Sequence, residues 1–305
     1  MRLFETADYS IISRRKIGYF ISGTLIIISL LAIFGRGLQY GIDFRGGIEI
    51  IVEFEEPASV DEFRSDLTEP LGVMPEIRRL GVGRDLLIRI DTDLPTSEVQ
   101  SIIMTTAGAT FPNNPANIVQ TENVGPSFAD DLRNAALMSI IFALIVIFLY
   151  ILIRFKKWSY SAGAVAALAH DVIITLGVFT VLHGIVPFSL DINQALIAAF
   201  LTIVGYSLND TVVVFDRIRE NLLIFKTEDF EKTVNRSINN TLSRTVVTSL
   251  TTLFVVTILF IFGGDVLKGL SFALIIGVLL GTYSSIFVAS AMLVDLQQKT
   301  RKNIA

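Results

Sequence analysis

The chain has 305 residues, 52% of them hydrophobic and only 18% charged, and its apolar residues lie in long blocks rather than at a steady helical or strand period. That pattern reads as an α-helical integral membrane protein and excludes a transmembrane β-barrel, whose strands would alternate over about ten residues each. The absence of cysteine excludes disulfides and thiolate metal sites, two histidines are too few for a metal cluster, and the net charge of −4 averages over strongly segregated signs.

Residues 1–16 are polar and end in Arg14-Arg15-Lys16, directly before an apolar run from Ile17 to Phe34. A cleaved signal peptide would have a shorter core and a small-residue cleavage site, so an uncleaved first span is expected over residues 17–35. From residue 36 to 131 the chain turns acidic, with ten more Asp and Glu than Lys and Arg. Strands are predicted at Gly41 to Phe54, Val73 to Leu80, Leu86 to Ile90 and Asn117 to Thr121, with helices at Asp61 to Leu71 and Thr96 to Thr110. The order βαββαβ predicts one α+β, ferredoxin-like external domain. Five further spans follow at residues 132–153, 160–182, 193–216, 244–262 and 269–294, giving six transmembrane helices.

Lys and Arg in the short connections set the orientation. Arg14 to Lys16, Arg154 to Lys157, Arg217 to Arg236 and Lys299 to Lys302 all fall on one side, so both termini (residues 1–16 and 295–305) are expected in the cytoplasm and the acidic domain outside. Within residues 217–243, Phe230, Val234, Ile238 and Leu242 recur every four residues among charges. That spacing predicts a cytoplasmic amphipathic segment, lying on the membrane surface or binding a partner.

Charge inside an apolar span is expensive, which makes each such residue a functional candidate. Asp210 sits in the polar knot Ser207-Leu-Asn-Asp-Thr211 of the fourth span, about six residues or roughly 10 Å inside its charged end. Burial favours the neutral acid and a nearby cation favours the carboxylate, so such a group can load and release a proton. Arg244 opens the fifth span, followed by Thr248 and Thr252 on one face. It either pairs with Asp210 in the bundle or snorkels to the surface. In the third span, His170-Asp171 forms either a relay or a hydrogen-bonded packing feature. Gly277, Gly281 and Ser284-Ser285 in the sixth span read as sites of close helix approach. No phosphate loop, basic nucleic-acid surface, metal site or cofactor motif is present in the sequence.

Six stretches together resemble the SecF side of the bacterial SecD/SecF family of protein-export membrane proteins, itself similar to resistance-nodulation-division transporters. They are Gly41-Ile-Asp-Phe-Arg-Gly-Gly47, Val124-Gly-Pro126, His170-Asp171, the run from Gly205 to Glu220, Ser243-Arg-Thr245, and Gly281-Thr-Tyr-Ser-Ser285, in the family's order over nearly the whole chain. The resemblance implies a subunit without covalent chemistry or cofactor in the bacterial inner membrane. With SecD, and beside the Sec channel and YajC, it would use the proton-motive force, or sodium in some relatives, to draw unfolded preproteins across late in translocation. It further implies that Asp210 and Arg244 match the family's proton-pathway pair; Asp171 inherits less. Two other classes remain open at this point: half of a small-molecule or lipid exporter, and a non-energetic membrane scaffold.

Overall fold

The computed structural model describes residues 8–80, 84–92 and 94–302. The first seven residues of the expected cytoplasmic N-terminus and the last three of the tail lie outside the described residues. The chain divides into two compact units, a helical one (residues 1–37, 138–181 and 195–305) and a sheet unit (38–137 and 182–194).

The helical unit draws on six helices long and apolar enough to cross a membrane. The first, α1 (Arg15–Arg36), follows a 3₁₀ turn over Ile12–Arg14. The sheet unit interposes α2 (Ile42–Arg45), β1 (Gly47–Phe54), α3 (Val60–Leu71), β2 (Glu76–Leu80), β3 (Asp85–Ile90), α4 (Thr96–Thr110) and β4 (Ala116–Val124). Helices α5 (Pro126–Phe155), α6 (Trp158–Leu182), α7 (Gln194–Ile224) and α8 (Phe230–Phe262) follow. The last spanning helix is α9 (Asp265–Ser284), continued through a π-helical turn (Ser285–Ala289) into α10 (Ser290–Lys302).

Burial ranks the spans. Half of the apolar window is inside the protein for α6 and for the last helix and 44% for α7, against 6% for α5 and 11% for α8. So α6, α7 and α9 form the centre, and α5 and α8 present apolar faces outward, as a bilayer or a second membrane protein would require. Glycine makes the centre possible. A Cβ on Gly177 of α6 would lie 2.2 Å from Ser29 Cβ of α1, one on Gly277 of α9 would lie 2.3 Å from Ile203 Cγ1 of α7, and one on Gly281 would lie 2.9 Å from Ser207 Cβ. A backbone atom of the facing helix stands against Gly177 and Gly281 and the Ile203 side chain against Gly277, and the expected role of Gly277 and Gly281 in close approach is what they do.

Two sequence expectations need correction here. Helix α7 runs on to Ile224, and the segment read as a separate amphipathic helix is the first half of α8, continuous with the fifth span. Its apolar stripe is not offered to a membrane surface or a partner. Phe230, Val234 and Ile238 are buried in a core with Ile12, Phe155, Phe215 and Leu293, and Leu242 packs against it. The helix begins at Asp229, whose carboxylate caps the backbone N–H groups of Glu231 and Lys232 at 3.0 and 3.2 Å. Asn239 grips the polar segment before α1, accepting from Tyr9 N–H and donating to Tyr9 C=O, each at 3.0 Å, while Asn235 accepts from Ile12 N–H at 2.8 Å.

In the sheet unit the strand order is β2-β3-β1-β4, every neighbouring pair antiparallel, with the expected βαββαβ sequence of elements. Period-two alternation buries Ile48, Ile50, Val52 and Phe54 of β1 against Phe63, Leu67 and Leu71 of α3 and Val99, Ile103 and Ala107 of α4. The stretch from Gly41, expected to be extended throughout, begins instead with the helical turn α2. Gly46 and Gly47 then adopt φ of 82° and 111°, with a Cβ on Gly47 destined to meet Ile90 O at 2.8 Å, so both positions demand glycine. The chain ahead of them pairs with the loop before α7: Gly41 N–H donates to Ile192 O, Ile192 N–H donates to Gln39 O, and Asp43 accepts from Gln194 N–H, the first residue of α7, at 2.7 Å.

Candidate functional site

Asp210 lies on the buried face of α7, only 1% exposed, and neither carboxylate oxygen has a hydrogen-bond partner. The hydroxyls of the adjacent Thr211 and of Thr245 on α8 are also buried without partners. A carboxyl group left in this condition is costly in either protonation state, and far costlier ionised than neutral. Arg244, the cation that the sequence pairs with it, forms no ion pair with it within 4.0 Å. The guanidinium stands on the exposed side of α8, in line with the exposed Val247, Phe254, Ile258 and Ile261. Thr248, expected to continue a polar path from Arg244, spends its hydroxyl hydrogen on Arg244 C=O at 2.8 Å.

Asp171 presents the opposite case. It is fully buried on α6, and its Oδ2 accepts hydrogen bonds from Ser207 of α7 at 2.7 Å and Ser284 of α9 at 2.8 Å. Its Oδ1 lies 2.9 Å from His170 Nδ1. His170 Nε2 lies 3.1 Å from Ser22 Oγ of α1, which lies 3.1 Å from the Tyr283 hydroxyl of α9, and Tyr283 donates to Gly18 C=O at 2.9 Å. One buried polar chain thus stitches α1, α6, α7 and α9. Gly281 lets α9 approach α7 at Ser207; a π-helical turn follows Ser284, and the Ser290 hydroxyl donates to Ser285 C=O at 2.8 Å.

Of the residues picked out in the sequence, Asp171 and the Ser207 of the polar knot are joined directly, while Asp210 lies one turn beyond Ser207 on the same helix. Ser22 and Ser249 carry no sequence signal beyond a polar side chain in an apolar run, and Thr282 and Tyr283 stand out only as members of the Gly281–Ser285 stretch; the Ser249 and Thr282 hydroxyls meet at 2.6 Å between α8 and α9.

A second polar centre lies in the sheet unit, on the sheet face away from its helices. Asp191, in the loop before α7, accepts from Arg89 and Arg78 at 3.1 Å each and from Ser189 at 2.8 Å, and lies 3.1 Å from His183 Nε2. Arg89 is also paired with Glu49, its cross-strand neighbour, at 2.7 Å. Burial opposes ionisation of Asp191, but His183, Arg89 and Arg78 outweigh it and hold the carboxyl well below the ordinary range. Burial pushes the Glu49 carboxyl up, against the pull of Arg89.

A sequence profile described as protein export membrane protein SecD/SecF, C-terminal, matches residues 105–299, and one for the SecD/SecF GG motif matches residues 31–58. The chain is 56% identical over 299 residues to the protein translocase subunit SecF of Rhodothermus marinus, covering 98% of this chain and 96% of that one. It is 40% identical over 300 residues to the subunit SecF of Calditerrivibrio nitroreducens, covering 97% and 96%. Among solved structures it is similar to SecDF, a translocon-associated membrane protein from Thermus thermophilus, with a TM-score of 0.86 and 34% identity. That match spans 98% of this chain and 40% of the longer SecDF chain. The two glycines of the GG motif are the strained Gly46 and Gly47, and the C-terminal profile covers the helices that carry Asp171, Asp210 and Arg244. The chain belongs to the SecD/SecF family of protein export membrane proteins, on its SecF side.

Proposed function

We propose that this chain is the SecF-type half of an ion-driven export machine. Working with SecD beside the Sec channel and YajC, it uses the proton-motive force to promote late-stage movement of unfolded preproteins across the bacterial inner membrane. The observation that carries the reading is the buried, unpartnered carboxyl of Asp210. In an apolar bundle it persists as the neutral acid, and it ionises when the Arg244 guanidinium moves in or water reaches it. A group that must change partner whenever it changes charge is a lever for turning proton flow into helix movement. The exposed stripe headed by Arg244 supports a partner on that side of α8, and the family makes SecD the partner proposed to cover it. In this reading both termini are cytoplasmic and the sheet unit is external. The unfolded preprotein and membrane lipid complete the list of partners proposed.

The test is translocation into inverted vesicles that contain the full complex, comparing wild type with Asp210→Asn and Arg244→Met. Both variants are expected to co-purify with SecD and to lose gradient-stimulated translocation. A scaffold without an energetic role would show normal translocation in both, and that result would overturn the proposal.

A further inference from the structure

Proton counting along the buried chain around Asp171 leads to a site that the coupling role of Asp210 does not use. Tyr283 has one hydroxyl hydrogen, and it is committed to Gly18 C=O. The contact between Tyr283 and Ser22 at 3.1 Å therefore has Ser22 as the donor. Ser22 has then spent its own single hydrogen, so toward His170 it can only accept, and His170 Nε2 must carry a proton. The remaining contact places His170 Nδ1 2.9 Å from Asp171 Oδ1. With Nε2 protonated, a neutral imidazole would turn the Nδ1 lone pair against a carboxylate lone pair at that distance, a repulsive arrangement that no hydrogen bond relieves. One more proton must lie between them. Asp171 Oδ2 cannot relieve the conflict, because it already accepts from Ser207 and Ser284.

We infer that His170 and Asp171 together form a proton-binding site, occupied in this conformation and separate from Asp210. Two descriptions satisfy the count: an imidazolium beside a carboxylate, or an Nε2–H imidazole accepting from a carboxylic acid. Both hold the same protons and leave the pair electrically neutral. Neutrality suits the surroundings, for His170 is 3% exposed and Asp171 0%. The side chains bonded into the pair are Ser22, Ser207 and Ser284, none of them charged, and the Tyr283 ring stacks on the imidazole with centroids 6.0 Å apart. The other ionisable groups near it on these helices are Tyr283, whose hydroxyl accepts from Ser22, Tyr206, next to Ser207, Asp210, one turn beyond Ser207, and Tyr19, one turn before Ser22 and bonded to Asp295 at 2.7 Å. Loss of the proton would set Nδ1 against Oδ1 and force Ser22 or Tyr283 to rotate, so the proton also holds α1 and α9 against α6.

The inference does not rest on the export reading and is tested without transport. The full chain, labelled with ¹⁵N-histidine and reconstituted in lipid bilayers at neutral pH, is examined by solid-state NMR. The chain has two histidines, so His183→Gln leaves one pair of ring signals. Should that variant accumulate poorly, the coupling between Asp171 Cγ and His170 Nδ1 in the wild-type chain makes the same assignment. The expected spectrum shows a protonated Nε2 together with either a protonated Nδ1 or an infrared carboxylic-acid band that disappears in Asp171→Asn. An imidazole protonated on Nδ1 alone, or on Nε2 alone without the acid band, would overturn the inference. Neither spectrum bears on whether Asp210→Asn abolishes gradient-driven export, so the two proposals fail separately.

Discussion

Replacing Gly177 by alanine should pry α1 from α6 and disturb the buried polar chain from a distance. The added methyl would lie 2.1 Å from Ser29 Oγ and 2.6 Å from Ser29 Cα, where unstrained carbon contacts begin near about 3.5 Å. A clash with a backbone atom cannot be relieved by a rotamer change, so α1 must retreat by roughly 1 Å. Ser22 is seven residues along the same helix, about two turns away, and its Oγ stands 3.1 Å from both His170 Nε2 and the Tyr283 hydroxyl. A shift of that size carries both contacts past bonding range. Overpacking costs about 1–3 kcal/mol and each of the two lost hydrogen bonds about 1 kcal/mol, so Gly177→Ala should destabilise the helical unit by about 3–5 kcal/mol. Unfolding of the purified full chain in mixed micelles titrated with dodecyl sulfate measures this. Ser29→Gly in the same chain should recover only part of the loss, since it removes the Oγ and Cβ that the methyl strikes but leaves the Cα 2.6 Å away. A Gly177→Ala chain as stable as wild type, or one that Ser29→Gly restores completely, would refute the backbone-clash argument.

Four other outcomes are expected. Ser207→Ala and Ser284→Ala each remove a hydroxyl donor to a buried carboxylate and should cost about 1.5–3 kcal/mol in the same titration, with a non-additive double variant because both act on Asp171 Oδ2. Asp191→Ala leaves the 8%-exposed Arg89 with Glu49 at 2.7 Å and Glu76 at 3.6 Å as its remaining carboxylate partners. It should weaken the sheet unit by about 3–5 kcal/mol, seen as faster amide hydrogen exchange in β1 and β3 of the full chain. Because the folded Asp191 carboxyl titrates below its unfolded value, its contribution is complete above about pH 4 and is lost as pH falls further. Asp191→Asn should therefore flatten the acid limb of sheet-unit stability. Val234→Asp, at a position with 0% exposure, should prevent stable accumulation of the chain, where a solvated or membrane-surface helix would tolerate it.

The spans were legible because bilayer thickness writes itself into the length of apolar runs, as at Leu132 to Ile153 within α5. Helix ends were not. Hydropathy marks where the bilayer stops, while α7 continues through the charged Asp216–Glu220 stretch and α8 begins 15 residues before Thr245, because a helix needs only its own backbone bonds and a buried stripe to persist in water. The alternation from Gly41 suggested a strand, yet Asp43 is drawn into capping Gln194, a partner 151 residues away that no local pattern reveals. At the candidate site, sequence reasoning found the expensive residues, Asp171 and Asp210, but not what distinguishes them. That Asp171 is fully bonded and Asp210 is not depends on which helices approach closely, and hence on Gly281. Ser22 and Tyr283 acquire meaning only from that approach. The Asp191 centre was hidden for the same reason, its arginines lying over a hundred residues from the loop they hold.

The central claim is that charge exchange at Asp210 drives export, and the most direct measurement imposes one gradient at a time. Proteoliposomes holding the full complex and a preprotein arrested late in translocation are given a pH gradient or a sodium gradient, with wild type compared to Asp210→Asn. The account predicts completion of translocation under the pH gradient in wild type, no response to sodium alone, and no response of Asp210→Asn to either. Equal completion by wild type and Asp210→Asn under the pH gradient would contradict it.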